Sequence, residues 1–340
     1  MVLGNNVKKS ALLVFSLAML MVFAVSCEGP AGPAGADGTN GADGTNGTDG
    51  TPGVDANSFC VDCHSQARMD VVTADYETSV HGLGAVAPRG ATASCARCHA
   101  NEGFQAFVAA PTQAAVGIAW PSRISCGTCH GDHSTLEEGM TAPMRTSAPI
   151  VGISDGTVYD FGNESNLCGT CHQARTDGLS HETTAGDSAS ITSSHDGPHH
   201  GPQVNVLFGN GGYGTSSEAT HTSAGCIDCH MGEDLEHSFN PAVANCNTSG
   251  CHTSITDFDV NGKQTSFDTR MEAIAQALVA KGLLSGDATD GYHPVVGKYP
   301  IADFKGFWNY MYCFEDNSRG VHNPGYINTM LTIAEANLGL

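Results

Sequence analysis

The sequence predicts a mostly irregular fold of short α-helices, with a small C-terminal helical region and an N-terminal collagen-like stalk. Three observations lead there. The 340 residues include 14 Cys and 16 His, far more metal-ligating chemistry than an ordinary core needs. Hydrophobic residues make up 40% and charged residues 14%, both low for a globular chain of this length. Part of the chain therefore does not pack, or something other than side chains fills its interior. Finally, apolar residues adopt a clear helical period only after residue 266. The formal charge of −21 excludes sequence-independent nucleic-acid binding, which needs Lys and Arg to neutralise phosphates. It also disfavours docking on anionic lipid.

Residues 1–26 read as an export signal of the lipoprotein type. Lys8 and Lys9 form the positive end, and the apolar run Ala11 to Val25 is too short to span a membrane as a mature helix. Ala24 and Ser26 are small, as a signal peptidase requires, and Cys27 follows the cut. This resembles a bacterial lipobox, whose cysteine becomes diacylated, although Ala24 stands where a lipobox usually has Leu. Simple cleavage without lipid is the alternative. No second apolar run of membrane-spanning length occurs, so a soluble or lipid-anchored mature protein is expected.

Residues 27–57 form the stalk. Glycine recurs at every third position from Gly29 to Gly53, giving nine G-x-y triplets. Only glycine fits at the axis of a collagen triple helix, which explains such a period. A flexible linker is the competing reading. Fully extended, the 27 triplet residues would span roughly 80 Å.

The region 58–340 carries the chemistry. Five segments read C-x-x-C-H: Cys60-Val-Asp-Cys63-His64, Cys95-Ala-Arg-Cys98-His99, Cys126-Gly-Thr-Cys129-His130, Cys168-Gly-Thr-Cys171-His172 and Cys226-Ile-Asp-Cys229-His230. A sixth, Cys246-Asn-Thr-Ser-Gly-Cys251-His252, has four residues between its cysteines. C-x-x-C-H is the attachment signature of c-type haem: two thiols bond the vinyl groups and the histidine binds iron. Zinc sites do not require His after every second Cys, and disulfide frameworks have no need of His. The arithmetic closes on six haems c, with Cys27 left for lipid and Cys313 as a buried, inert thiol, an intermolecular disulfide being the alternative.

Each iron needs a sixth ligand or an open face. Ten histidines lie outside the motifs: His81, His133, His181, His195, His199, His200, His221, His237, His293 and His322. They suffice for bis-histidine ligation throughout, which gives a low-spin iron suited to one-electron transfer.

Several phrases resemble those of exported multihaem cytochromes of metal-reducing bacteria. They are Ser79-Val-His81-Gly82, Cys95 to Phe104, His199-His200-Gly201-Pro202-Gln203, His237-Ser-Phe239 and Gly320-Val-His322-Asn-Pro324. The resemblance covers about residues 58–338, and the C-terminal half is similar to pentahaem nitrite reductases and their relatives. It implies a chain wrapped around stacked and T-shaped haems, with His81, His237 and His322 as distal ligands. His133 matches a C-x-x-C-H-x-x-H arrangement in which the second histidine reaches a neighbouring haem. His221, just before Cys226, is the fifth choice. The sixth comes from His195, His199 and His200, with His199 favoured.

Asp257-Phe-Asp259-Val-Asn261-Gly262, followed by Asp268, matches a calcium-binding loop, except that Asp268 replaces the usual bidentate glutamate. An Asx-rich turn capping the next helix is the alternative.

The haem-binding part is expected over 58–255, with loops joining short helical turns, and C-terminal helices over 266–338. Met271, Ile274, Leu278 and Val279 have helical spacing, as do Ile301, Phe304, Trp308, Met311 and Tyr312. Asn323 and Pro324 are good N-cap and first-turn residues for a third helix. These helices pack as a bundle, or their aromatic faces form a subunit interface.

The expected function is electron transfer by a chain of six haems, outside the cell or in the periplasm, from an outer-membrane anchor. Expected partners are other cytochromes, soluble carriers, particularly basic ones, or an extracellular acceptor such as a mineral or electrode. Two alternatives stand beside it. One is a homopolymeric filament. The other is a multihaem reductase of nitrite, hydroxylamine or a related compound, which needs an open iron face. No C-x-x-C-K occurs, and distal candidates outnumber the haems; both count against an enzyme.

Overall fold

A C-x-x-C-H motif puts its thiols three residues apart and its histidine one further on, a spacing that fits one face of a single helical turn. The fold is built around such turns. The computed structural model describes residues 58–133, 144–215, 218–248 and 251–340. The export signal 1–26, Cys27 and the stalk 27–57 lie outside the described residues.

Helix α1 (Ser58–His64) carries the first motif. Ser65 caps α2 (Gln66–Thr78) by accepting from Arg68 N at 3.3 Å. Ser79 caps α3 (Val80–Leu83), which holds His81 and stops at the left-handed Gly84. The second motif occupies α4 (Ala93–His99), and α5 (Asn101–Ala109) follows directly. Next come α6 (Cys126–Cys129), the small ladder β1 (Ile150–Val151) with β2 (Val158–Tyr159), and α7 (Ser165–Gly169). The strand β3 (Ser188–Ile191) precedes α8 (Gln203–Leu207), α9 (Ile227–His230) and α10 (Val243–Cys246).

The C-terminal region comprises α11 (Lys263–Ala280), the hairpin β4 (Leu284–Asp287) and β5 (Gly291–Pro294), β6 (Gly297–Pro300), α12 (Ile301–Asp316) and α13 (Pro324–Leu338). Its helices enclose the main core, where Ile274, Leu278, Phe304, Trp308, Tyr312 and Met330 are fully buried. Helices α12 and α13 meet closely at Gly306, where an added Cβ would come within 2.8 Å of Leu338. Asn323 caps α13, accepting from Tyr326 N at 3.0 Å. Cys313 is buried in α12, and burial raises its thiol pKa.

Several features differ from expectation. Helices α2 and α5 precede residue 266; α2 buries no side chain, so it has no apolar stripe to reveal it. The first C-terminal helix begins at Lys263. Strand β6 pairs antiparallel with β3, from Ser188 opposite Pro300 to Ile191 opposite Gly297. Ala189, Ile191 and Val206 of the motif-bearing region join the C-terminal core. The aromatic face of α12 is thus spent inside the chain; Phe304, Phe307, Trp308 and Tyr312 are wholly buried, which removes them from a subunit interface.

Before residue 150, by contrast, the buried hydrophobic side chains among the described residues are Ala87, Ala96, Ala100 and Phe104. Three alanines and one phenylalanine make a poor core for so long a segment. Among the described residues, no helix is long and apolar enough to cross a membrane.

Candidate haem-binding sites

Among the described residues the motif cysteines form no disulfides with one another. Burial, with the neighbouring Cys168 and Cys126, pushes the Cys129 thiol up to about 12. The motif histidines are arranged in a regular way. Each faces one non-motif histidine. His64 lies 6.0 Å from His133 between ring centroids, and His172 lies 6.0 Å from His81. His99 and His199 are 6.3 Å apart, as are His130 and His237. His252 and His221 are separated by 6.4 Å, and His230 and His322 by the same distance. A metal–imidazole bond is about 2 Å and a ring centre lies about 1 Å behind its nitrogen, so two imidazoles sharing one metal have centroids about 6 Å apart. The six separations match that spacing.

The opposite edges of several rings are fixed by acceptors. Nδ1 of His230 donates to Phe239 O at 2.9 Å, that of His237 to Leu235 O at 2.7 Å, and that of His221 to Val321 O at 2.7 Å. His322 Nδ1 is 2.7 Å from Asp316 Oδ1, and His172 Nδ1 is 3.3 Å from Gln203 Oε1. An acceptor on Nδ1 holds the proton there and leaves Nε2 as the lone-pair nitrogen for a metal. The backbone is strained to supply these acceptors. Leu235 and Phe239 have φ of 52° and 58°, a left-handed conformation uncommon for bulky residues and typical of functional sites.

Burial favours the neutral imidazole at five of these histidines. Burial lowers the pKa of His81, His99 and His230. Burial, with neighbouring histidine charges, pushes His172 down to about 4. Burial and Arg175 push His199 down to about 4. Neutral imidazole is the form that binds metal. For His322 burial acts downward, but the charge and hydrogen bond of Asp316 outweigh it and raise the pKa.

The second pair is built differently. His99 Nδ1 is buried without a partner. Arg175 Nη1 lies 3.2 Å from His199 Nε2, and His199 and His200 both have positive φ, 78° and 46°.

The pairs are also neighbours of one another. Arg97 of the second motif donates to Thr170 O of the fourth at 3.1 Å. Cys226 N donates to Ser165 Oγ on α7 at 2.9 Å, and Asn245 Nδ2 to Cys229 O at 3.0 Å. The Phe239 ring sits 5.2 Å from His81 and 5.8 Å from His237, while its carbonyl holds His230. Three of the pairs thus meet around one phenylalanine.

The other non-motif histidines lie elsewhere. His181 packs on Phe304 and Trp308 at 5.6 and 5.2 Å. His200 stands beside Glu315, and His195 and His293 are exposed. The acidic loop does not converge on a metal position. Asp259 caps α11, accepting from Gln264 N at 2.6 Å and Thr265 N at 3.2 Å. Asp257 accepts from Asp259 N at 2.9 Å, Asn261 adopts φ 57°, and Asp268 pairs with Arg319. Among the described residues no group of three or more His, Cys, Asp or Glu forms a metal-binding cluster. Asp268 is engaged by Arg319 rather than turned to the loop.

Sequence reasoning missed Asp316, Arg175 and Glu315. Gln203 and Phe239 had a signal: both end phrases that also contain a paired histidine.

No family model matches the chain, and no curated protein matches it in sequence. Among solved structures it is similar to the crystal structure of the outer cell wall cytochrome OcwA, with a TM-score of 0.52 and 19% identity. The match covers 78% of this chain and 49% of that one, so the chain spans about half the length of that cytochrome. At that identity the likeness is one of fold, and the chain has a multihaem cytochrome-like fold.

Proposed function

We propose that the protein is an exported electron-transfer cytochrome with six covalently bound haems c, each held between two histidines. The observation that carries this is the set of six histidine pairs at 6.0–6.4 Å, each joining a motif histidine to a non-motif one. The twelve motif cysteines would hold the porphyrins as thioethers. When bound, each haem iron supplies one-electron chemistry between ferric and ferrous states. The chain's own residues do the rest. His64, His99, His130, His172, His230 and His252 would ligate one face, and His133, His199, His237, His81, His322 and His221 the other. The carbonyls of Phe239, Leu235 and Val321 orient their rings. Contacts between motifs keep neighbouring sites close. The charge of −21 favours basic electron carriers as partners.

The similarity in fold to an outer cell wall cytochrome supports a location at the cell surface, with Cys27 as the candidate anchor. All six pairs form within one chain, so assembly into a filament would need no ligand from a neighbouring subunit.

A reductase is the second reading, and one observation favours it at one site. Arg175 approaches His199 Nε2, and a guanidinium there could hold a small anion if His199 left the iron. Turnover of nitrite with a reduced dye tests this reading. A pyridine-haemochrome assay and intact mass on the purified holoprotein test the main one. Six haems per chain are expected; fewer would overturn it.

A further inference from the structure

We infer that Asp316 is a positioning residue for the site between His230 and His322, and that its carboxylate holds that site at a lower potential than a neutral partner would. The inference rests on the bis-histidine reading above. Helix α12 carries no haem motif, yet its last residue is turned into the motif-bearing region. The Asp316 side chain is wholly buried, with Oδ1 2.7 Å from His322 Nδ1. Its orientation is fixed from several sides. Ser318 Oγ donates to Oδ2, and the Asp316 carbonyl accepts from Gln203 Nε2 at 3.1 Å. Ser318 Oγ in turn accepts from the backbone N–H groups of Gly320 and His322, both at 3.2 Å. The loop from Asn317 to Gly320 includes left-handed residues at 317, 319 and 320 that curl it around this hydrogen bond.

The partner is what distinguishes this site. His221, His230 and His237 donate to backbone carbonyls, and His172 faces an amide oxygen. His322 faces a carboxylate. A buried carboxylate is costly unless a positive charge compensates it. Ferric iron carries one more positive charge than ferrous iron, so a fixed negative charge one imidazole away favours the ferric state. A carboxylate on a ligand histidine also raises the ligand's basicity, which acts in the same direction. The site then accepts an electron less readily than it would with a neutral partner, and returns it more readily.

The test is Asp316→Asn in the holoprotein, since asparagine removes the charge and keeps an oxygen acceptor for Nδ1–H, although its amide nitrogen replaces the oxygen that accepts from Ser318 Oγ. In a potentiometric titration one of the six one-electron steps should move to higher potential, with the haem count unchanged. Six superimposable steps would overturn the proposal. Should the variant not load haem, low-temperature EPR of the unmodified protein decides. One of the low-spin signals should have the narrowed g-spread of an imidazolate-like ligand; signals all of the neutral-imidazole type would overturn it. A His322→Met variant separates the two levels. An unchanged EPR spectrum would overturn the ligation itself. A changed spectrum with unmoved Asp316→Asn steps would overturn only the role of Asp316.

Discussion

Arg175 places a guanidinium nitrogen 3.2 Å from Nε2 of His199, within the pair formed by His99 and His199. The next residue, His200, has its ring 5.3 Å from that of His199 and is held at the surface beside Glu315. On the bis-histidine proposal the ligand role falls to His199, whose ring lies 6.3 Å from that of His99. His199→Ala should convert one haem in six to high spin, read by EPR, and let added imidazole restore it. His200→Ala should leave every haem low-spin. A high-spin signal in His200→Ala instead would reverse the assignment.

Glu315 gives a pH dependence with a defined sign. Its side chain is buried and accepts from His200 N at 2.5 Å. Burial raises its pKa from 4.5 to about 7, partly offset by backbone hydrogen bonds from His200 and His199. Because the folded pKa is raised, the folded state binds more protons than the unfolded state between about pH 4.5 and 7. Stability is therefore full below that window and is lost as pH rises through it. The loss is roughly 3 kcal/mol. Glu315→Gln should remove this slope, measured as the difference in melting temperature between variant and wild type from pH 4.5 to 8.

The C-terminal core should be the mechanical anchor of the fold. Trp308 is fully buried between Phe304 and Tyr312 and donates to Gly211 O at 3.1 Å. Trp308→Ala should cost about 3–5 kcal/mol in denaturant unfolding followed by far-UV circular dichroism. Because His181 and β3 pack on the same core, the loss should spread into the motif-bearing region. A cost below about 1 kcal/mol would show that the core does not carry the fold.

The histidine chemistry was legible because it depends on local spacing. C-x-x-C-H must put thiols and imidazole on one helical turn, so the motifs announce themselves in the sequence. His81, His237 and His322 stand out in short phrases, and His133 and His221 by their distance from a motif, whereas His199 is the favoured one of three candidates with His195 and His200. Which partner meets which motif was not legible. His172 meets His81, and His230 meets His322, across long stretches of chain whose path depends on tertiary packing. Asp316 had no spacing signal, because its link to His322 arises from a left-handed loop rather than a period. Helix α2 was invisible for another reason: with no buried side chain it has no apolar face. The pairing of β3 with β6 joins segments more than a hundred residues apart, and four-residue strands leave little pattern to read.

The acidic segment at 257–268 shows a spacing match that resolves into something simpler. Asp259 caps α11, and Asp268 is paired with Arg319. Calcium or a chelator should therefore leave the melting temperature unchanged, whereas Asp259→Ala should lower it by removing the cap. A calcium-dependent rise in melting temperature that Asp259→Ala abolishes would restore the metal reading.

The central claim is that each of the six histidine pairs encloses one iron. Iron anomalous diffraction from crystals of the holoprotein tests it most directly. Six anomalous peaks are expected, each lying between the rings of one pair, from His64–His133 to His221–His252. Fewer peaks, or a peak with a motif histidine on one face and no histidine on the other, would contradict it.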